Sequence, residues 1–409
     1  MMNRTSIFSI RFGALACLLI LLLTITTGCW NRMELSEISV VLAMGIDKVE
    51  DQYQVSVQFV DPSQMSRNRT ANRSPAVTIS ERASTVFEAV RKLTTKTSRR
   101  LYFSHLRLLV FDEKTAKEGI KNAMDLMFRD HEVRPDFYIA VAKKNTARDI
   151  LAIVTPTEVL PAMDIDKSLI VSEKTWAPTA AINVITLLQT LMQDGKEPVL
   201  TGVSIIGNLE KSKTMQNVQN PLAYGEYKYE GLGVFKEEKL LGWLNESDSK
   251  AYTYIVNKVT STVGVSKCPN SGGFIAIEVT EANTKIITNV ENNKPSITLK
   301  MLIEGTINEV QCTINMQDPN EYEQMEQTAR ETFQTMIEKG IKTVQRKFGV
   351  DIFGFGEAFH RNHPKQWNIW KEQWDDVFKQ LPVQIDLDYK LNKVGKIINP
   401  IDKEPDKER

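Results

Sequence analysis

A nearly unbroken apolar run, Ala14 to Ile25 (ALACLLILLLTI), followed at once by Thr26-Thr27-Gly28-Cys29, constrains this chain more than any other feature. Twelve residues rise about 18 Å in a helix, well short of the roughly 30 Å hydrocarbon core of a bilayer. Arg4 and Arg11 stand ahead of the run and small residues behind it, so residues 1–28 read as a secretion signal rather than a membrane span. After residue 28 no stretch approaches 18 consecutive apolar residues, and the body is expected to be water-soluble.

A cysteine directly behind such a run resembles the lipobox of bacterial lipoproteins, which implies that the thiol of Cys29 receives diacylglycerol, with palmitate or similar acyl chains as the anchor, and that cleavage leaves Cys29 as the first residue of the mature protein. The usual leucine three positions before the cysteine is replaced by Thr26, with Ile25 one step earlier. Two or three acyl chains at about 0.8 kcal/mol per buried methylene anchor a protein far better than one. Uncleaved anchoring and ordinary secretion are the alternatives.

The chain has 51 Lys and Arg and 51 Asp and Glu; without Arg4 and Arg11 the mature part has 49 basic residues against the 51 acidic. There is no net basic field to attract nucleic acid. Some 380 residues exceed a single core and imply two or three domains. Beyond Cys29 only Cys268 and Cys312 remain, either as one disulfide, worth about 4 kcal/mol in the chain-entropy model, or as two buried thiols.

Ser39–Ile46 reads as a buried strand and Tyr53–Val60 as its hairpin partner, with Asp61–Pro75 a mobile surface loop. A helix over Arg82–Lys96, a strand over Leu106–Phe111, a helical stripe Ala116–Met127, a strand over Phe137–Ala142 and a helix over Thr146–Ile153 follow. A helix over Thr179–Gln193 places Ile182, Ile185, Leu188 and Met192 on its core side and stops near Gly195. Strands Val199–Ile206, Gly231–Phe235 and Lys239–Trp243 surround an exposed loop, Asn208–Tyr229, and a helix covers Glu246–Val259. Alternation over Phe274–Thr280, Thr284–Val290, Ser296–Glu304 and Thr306–Ile314 predicts a four-stranded antiparallel meander. The longest helix, Pro319–Phe348, is weakened only at Gly340; a short helix over Trp367–Phe378 and a strand over Val383–Leu391 close the fold. The predicted class is multi-domain α+β. Residues 1–28 are the signal and 29–208 an α/β region of one or two subdomains, in which 29–60 and 199–244 share a sheet. Residues 222–395 form a C-terminal α+β domain, and 396–409 a frayed tail.

Chemical constellations are weak. Glu357, His360 and His363 step by three and meet Pro364, which argues for a helix end over a metal site. Ser104-His105 lacks converging partners for nucleophilic catalysis. Gly231-x-Gly233 and Gly354-x-Gly356 lack a third glycine and read as close packing. Met325 and Met336 read as core filling, and Arg99-Arg100 and Arg129-Asp130-His131 as exposed turns. No cofactor, metal site or catalytic residue is predicted.

Five segments in register, GCWNRMELSEISVVLAMGIDK, SRRLYFSHLRLLVF, LMFRDHEVRPDFYIAVAK, GLGVFKEEKLLGWL and FGFGEAFHRNHPKQW, resemble the Ger(x)C family of spore germination lipoproteins over essentially the whole mature chain. These are the C subunits of nutrient germinant receptors. The resemblance implies a three-domain α+β protein without catalytic activity, lipidated at Cys29 and held on the outer face of the spore inner membrane. It also implies assembly with two integral-membrane subunits, A and B. A solute-binding lipoprotein would instead need two similar lobes around a cleft, and a lipid-anchored cell-wall hydrolase paired carboxylates in a groove.

Overall fold

The computed structural model describes residues 13–16, 37–60, 75–269 and 272–392. The rest of the signal, Cys29, most of the Asp61–Pro75 connection and the 396–409 tail fall outside the described residues.

The first strand, β1 (Ile38–Val49), is buried along nearly its whole length because both faces of its sheet are covered, so it reads as a continuous apolar run. It turns through Glu50, whose φ is 54°, into antiparallel β2 (Gln52–Val60), and β3 (Ala76–Ala83) pairs with β2 in turn. β3 captures Arg82, which the sequence placed in a helix. The helix α1 (Val86–Leu93) waits for Thr85, whose hydroxyl accepts the Glu88 N–H at 3.1 Å. Then come β4 (Arg100–Tyr102), which runs parallel to the start of β1, and β5 (Leu108–Asp112). The predicted helix at Ala116–Met127 is two helices, α2 (Glu113–Glu118) and α3 (Lys121–Arg129). Gly119, at φ 129°, breaks them apart, and the Ile120 N–H donates to Glu238 O at 3.0 Å.

β6 (Tyr138–Ala142) and α4 (Ala147–Ala152) precede α5 (Pro161–Thr175), a helix the periodicity did not reveal. Its inward side mixes Ala162, Ile165 and Leu169 with buried Asp164 and Asp166, which blurs the apolar stripe. Next is α6 (Val184–Met192), capped by Asn183. Here the expected facing holds at Ile182, which is buried just before the helix, and fails at Ile185 and Met192. Val184 and Leu187 are buried, whereas Ile185 is 45% and Met192 77% exposed, because Ile182, Leu187 and Thr190 take the side toward Val199, Tyr252 and Val256.

β7 (Val199–Gly207), α7 (Leu209–Ser212), α8 (Gln216–Gln219), β8 (Gly225–Lys236) and β9 (Lys239–Trp243) complete a nine-stranded sheet of order β3-β2-β1-β5-β6-β7-β8-β9, with β4 beside β1. The expected loop at Asn208–Tyr229 is therefore ordered: the buried Asn217 amide donates to Val154 O and Gly225 O and accepts from Gly225 N–H. Strands β1, β5, β6 and β7 are parallel, and the flanking pairs are antiparallel.

α9 (Glu246–Ile255) leads to β10 (Thr262–Lys267), β11 (Phe274–Glu291) and β12 (Lys294–Val310). The four-stranded meander is overturned, since its members fuse pairwise into β11 and β12. What looked like strand ends is a bulge between Val279 and Glu281. Gly305, opposite Val279 in that register, has no room for a Cβ, which would lie 2.7 Å from Ile277 Cγ2. The turn between the two strands is Asn292-Asn293, both with positive φ.

α10 (Pro319–Thr343) packs on this sheet and runs through a π turn, Val344–Phe348, to Gly349. A Cβ on Gly340 would lie 2.4 Å from Ala251 Cβ, so the residue that weakens the helix is where α9 crosses it. α11 (Phe355–Asn362) follows, α12 (Pro364–Trp370) and α13 (Trp374–Gln380) replace the single predicted helix at Trp367–Phe378, and β13 (Val383–Asn392) joins β12 in parallel. The small sheet has the order β10-β11-β12-β13. Its β13 edge is covered by α10: Arg330 donates to Leu387 O, and Glu326 accepts the Leu391 N–H. Cys268 and Cys312 are joined as a disulfide at the open end of the β10–β11–β12 ladder, with Cα atoms 6.2 Å apart.

One continuous apolar core runs from one face of the large sheet to the small sheet, and a second fills the other face beneath α4 and α5. The architecture is α+β with two mixed sheets and one long C-terminal helix.

Candidate functional site at the seam between the sheets

The two sheets meet where the connection from α6 to β7 (residues 193–198) touches the segment that follows the π turn (residues 349–356). The contact is backbone on backbone. Glu197 N–H donates to Asp351 O at 2.7 Å and Glu357 N–H to Gly195 O at 3.1 Å. Gly195, at φ +83°, and Gly356 approach so closely that a Cβ on Gly195 would lie 2.6 Å from Gly356 C. Gly195→Ala is expected to cost about 2–4 kcal/mol in urea unfolding, from the left-handed backbone and the clash together. Gly264→Ala, where the nearest atom is 4.0 Å away, is the control and should change little.

Asp351 organises this seam. Its Oδ1 accepts from Phe353 N–H (3.0 Å) and Gly354 N–H (2.9 Å), and its Oδ2 from Gly356 N–H (2.7 Å) and the Trp374 indole N–H (3.1 Å). Burial pushes its pKa up to about 6, against the pull of these donors toward the charged form. Both oxygens are occupied, so the group fastens α11 and α13 to the loop and is not free to take a proton from a substrate. Phe353, Phe355, Phe359, Trp367, Trp374 and Phe378 pack around it.

Beside this clamp opens a polar cleft of about 580 Å³, lined among others by Glu197, Lys236, Asp351, Lys371, Asp375 and Lys379. Glu197 accepts the Glu237 N–H at 2.6 Å, and burial raises its pKa. Lys236 pairs with Asp375 across the cleft. The charges are mixed and already engaged with one another.

A second carboxylate, Asp47, sits at the end of β1, where it accepts Ala147 N–H (2.6 Å) and Arg148 N–H (3.1 Å) at the head of α4. Burial pushes it, too, up to about 6. Beneath α5, Tyr227 donates to Asp164 (2.9 Å) and Tyr229 to Ile165 O (2.7 Å). These are internal fastenings of the fold.

The residues singled out from sequence scatter. His360 stacks on Trp367 at 5.7 Å, His363 Nε2 lies 3.3 Å from Thr288 O, and Glu357 faces Arg361. Among the described residues no group of three or more His, Cys, Asp or Glu is placed to hold a metal. Ser104 donates to Glu132 O, and His105 packs edge-on to Tyr102. Gly231 (φ +76°) and Gly233 lie against Leu244 O and Trp243. Met325 is fully buried, and Met336 is half-buried against the core. Arg100 pairs with Glu132, Arg129 with Asp125, and Asp130 accepts the Glu132 N–H. Asp351 was overlooked, although Asp followed by glycine at +3 and +5 is a readable sign of a carboxylate gathering its own downstream N–H groups.

Fold and seam together define the class: an α+β protein on two dissimilar mixed sheets, locked by a shared core and a buried carboxylate clamp. Residues 31–205 match the family described as "Spore germination protein N-terminal domain", and residues 230–395 match "Spore germination B3/ GerAC like, C-terminal". The chain is 30% identical over 400 residues to spore germination protein KC of Bacillus subtilis (strain 168), covering 96% of this chain and 98% of that one. It is 24% identical over 407 residues to spore germination protein B3 of the same organism, covering 97% and 100%. The crystal structure of the GerBC protein superposes with a TM-score of 0.53 over 85% of this chain and 96% of that one, at 20% identity, a likeness of fold. This chain belongs to the Ger(x)C family of spore germination proteins.

Proposed function

We propose that this chain is the lipid-anchored, non-catalytic C subunit of a nutrient germinant receptor, carried on the outer face of the spore inner membrane beside two integral-membrane subunits. The observation that carries the reading is similarity to germination proteins along essentially the whole chain, in which Cys29 stands directly behind the apolar run. No helix among the described residues is long and apolar enough to cross a bilayer. In this reading the acyl chains on Cys29 supply the membrane attachment. The Cys268–Cys312 bond fits an exported protein. The nine-stranded and four-stranded sheets do not form the two similar lobes that a solute-binding protein needs.

Spores carrying Cys29→Ala are expected to germinate at least about tenfold more slowly through this receptor, since loss of the tether removes a high effective concentration beside the partners. The variant chain should leave the membrane fraction. Unchanged germination in those spores, or a native protein whose Cys29 has the mass of a bare thiol, defeats the reading.

A further inference from the structure

Between Lys174 and Asp194 stand 19 residues with no charged side chain, and α6 lies at their centre. Its polar side chains, Thr186, Gln189 and Thr190, share one face, and its six apolar ones form a band broader than its contact with the core. Here one side, Val184 and Leu187, meets the core, while Ile185 and Met192 are exposed and Leu188, between them, is half-buried. The steps 185, 188 and 192 form a single stripe on the outer face of the helix.

Its place in the fold indicates what covers it. Val184 N–H donates to Phe137 O just before β6 begins, and Val199 opens β7 just after, so α6 lies at the end of the sheet where the parallel strands start. β1 starts at that same end, and Ala43 is level with Leu108 and Tyr138. Ile38 therefore stands about 17 Å further out along the strand direction. From Cys29 to Ile38 the chain spans nine residues, at most about 30 Å when extended. A bilayer holding Cys29 is thus within reach of α6. The stretch Thr94–Arg107, which flanks the first residues of β1, has Lys96, Arg99, Arg100 and Arg107, of which Lys96 pairs with Glu81 and Arg100 with Glu132, and the net positive charge that remains suits an anionic headgroup layer.

We propose that the Ile185–Leu188–Met192 stripe of α6 rests in the interfacial layer of the bilayer to which Cys29 is anchored, so that the body is oriented by two contacts instead of swinging on one tether. This rests on the membrane-anchored reading above. Three apolar side chains would bind a free protein only weakly, but a tethered one needs little more.

The test uses the chain from Cys29 onward, coupled through that thiol to a maleimide phospholipid in vesicles of equal parts phosphatidylcholine and phosphatidylglycerol. Amide hydrogen exchange over residues 184–192 should slow about fivefold or more on vesicles relative to the same chain in solution. Exchange in the small sheet should stay the same. Ile185→Glu with Met192→Glu, both on exposed positions, should abolish the slowing without altering exchange in the core. Equal exchange on and off vesicles overturns the proposal. So does slowing that appears only once integral-membrane partner proteins share the vesicle, which assigns the stripe to a protein. The chemical tether replaces native acylation, so a native Cys29 found bare defeats the anchor while leaving this result standing.

Discussion

Asp351→Ala is expected to lower the unfolding free energy by about 3–5 kcal/mol in urea titration, a large part of the stability of an ordinary domain. The substitution removes one side chain and strands four donors, the N–H groups of Phe353, Gly354 and Gly356 and the indole of Trp374, in a site closed to solvent. Each unsatisfied buried donor costs on the order of 1–3 kcal/mol, and partial relaxation of the loop keeps the total below their sum. Asp351→Asn retains the shape but offers one acceptor oxygen and an NH2 that faces donors, so it should fall between wild type and alanine. A loss under about 1 kcal/mol for the alanine variant would mean that the clamp is dispensable.

The same group has a signature in pH. Its folded-state pKa, about 6, lies above the ordinary 3.8, as does that of Asp47. Between those values the folded chain holds protons that the unfolded chain has released. The stability contributed by each carboxylate is therefore full below about pH 4 and is lost as pH rises through 6. A shift of about two units corresponds to about 3 kcal/mol per group. Asp351→Asn should flatten the stability profile between pH 4 and 6 without changing its slope above pH 7. An unchanged slope in that window would place the proton elsewhere.

What could be read from the sequence follows from where the decisive contacts lie along the chain. β1 was legible because burial on both faces leaves a continuous apolar run, and α10 because its stripe from Met325 to Ile341 repeats along a 25-residue helix. Two kinds of feature escaped. One was set by partners distant in sequence: the Asp164 that α5 turns inward accepts from Tyr227, 63 positions on, as well as from nearby Thr157. The facing of α6 likewise depends on Tyr252 and Val256, and its apolar band is too broad to say which part of it meets the core. The other kind was local but ambiguous, since a bulge and a turn leave the same break in alternation, and β11 was therefore divided at Glu281. At the seam the glycines were noticed at 354 and 356, yet their reason lay in Gly195, some 160 residues earlier.

The double variant Cys268→Ala with Cys312→Ala is expected to lower the unfolding free energy by about 4 kcal/mol. The two cysteines are 44 positions apart, and the bond withdraws that loop's closure entropy from the unfolded chain. In the folded state it ties the end of β10, an edge strand of only six residues, to the end of β12 across β11. β10 makes one ladder only, with β11, and is shorter than β13 at the other edge, so within the small sheet it is the strand least able to hold its place by hydrogen bonding alone. Loss of the bond should therefore appear first as faster amide exchange in Thr262–Lys267, before global unfolding. Both cysteines are buried, so a reductant reaches them mainly through that same opening. Wild-type protein unfolded in urea with dithiothreitol should show the midpoint of the double variant, and without reductant a higher one. Identical wild-type midpoints with and without reductant would mean that the native pair is not oxidised, and the small sheet would then rest on its ladder and on α10 alone.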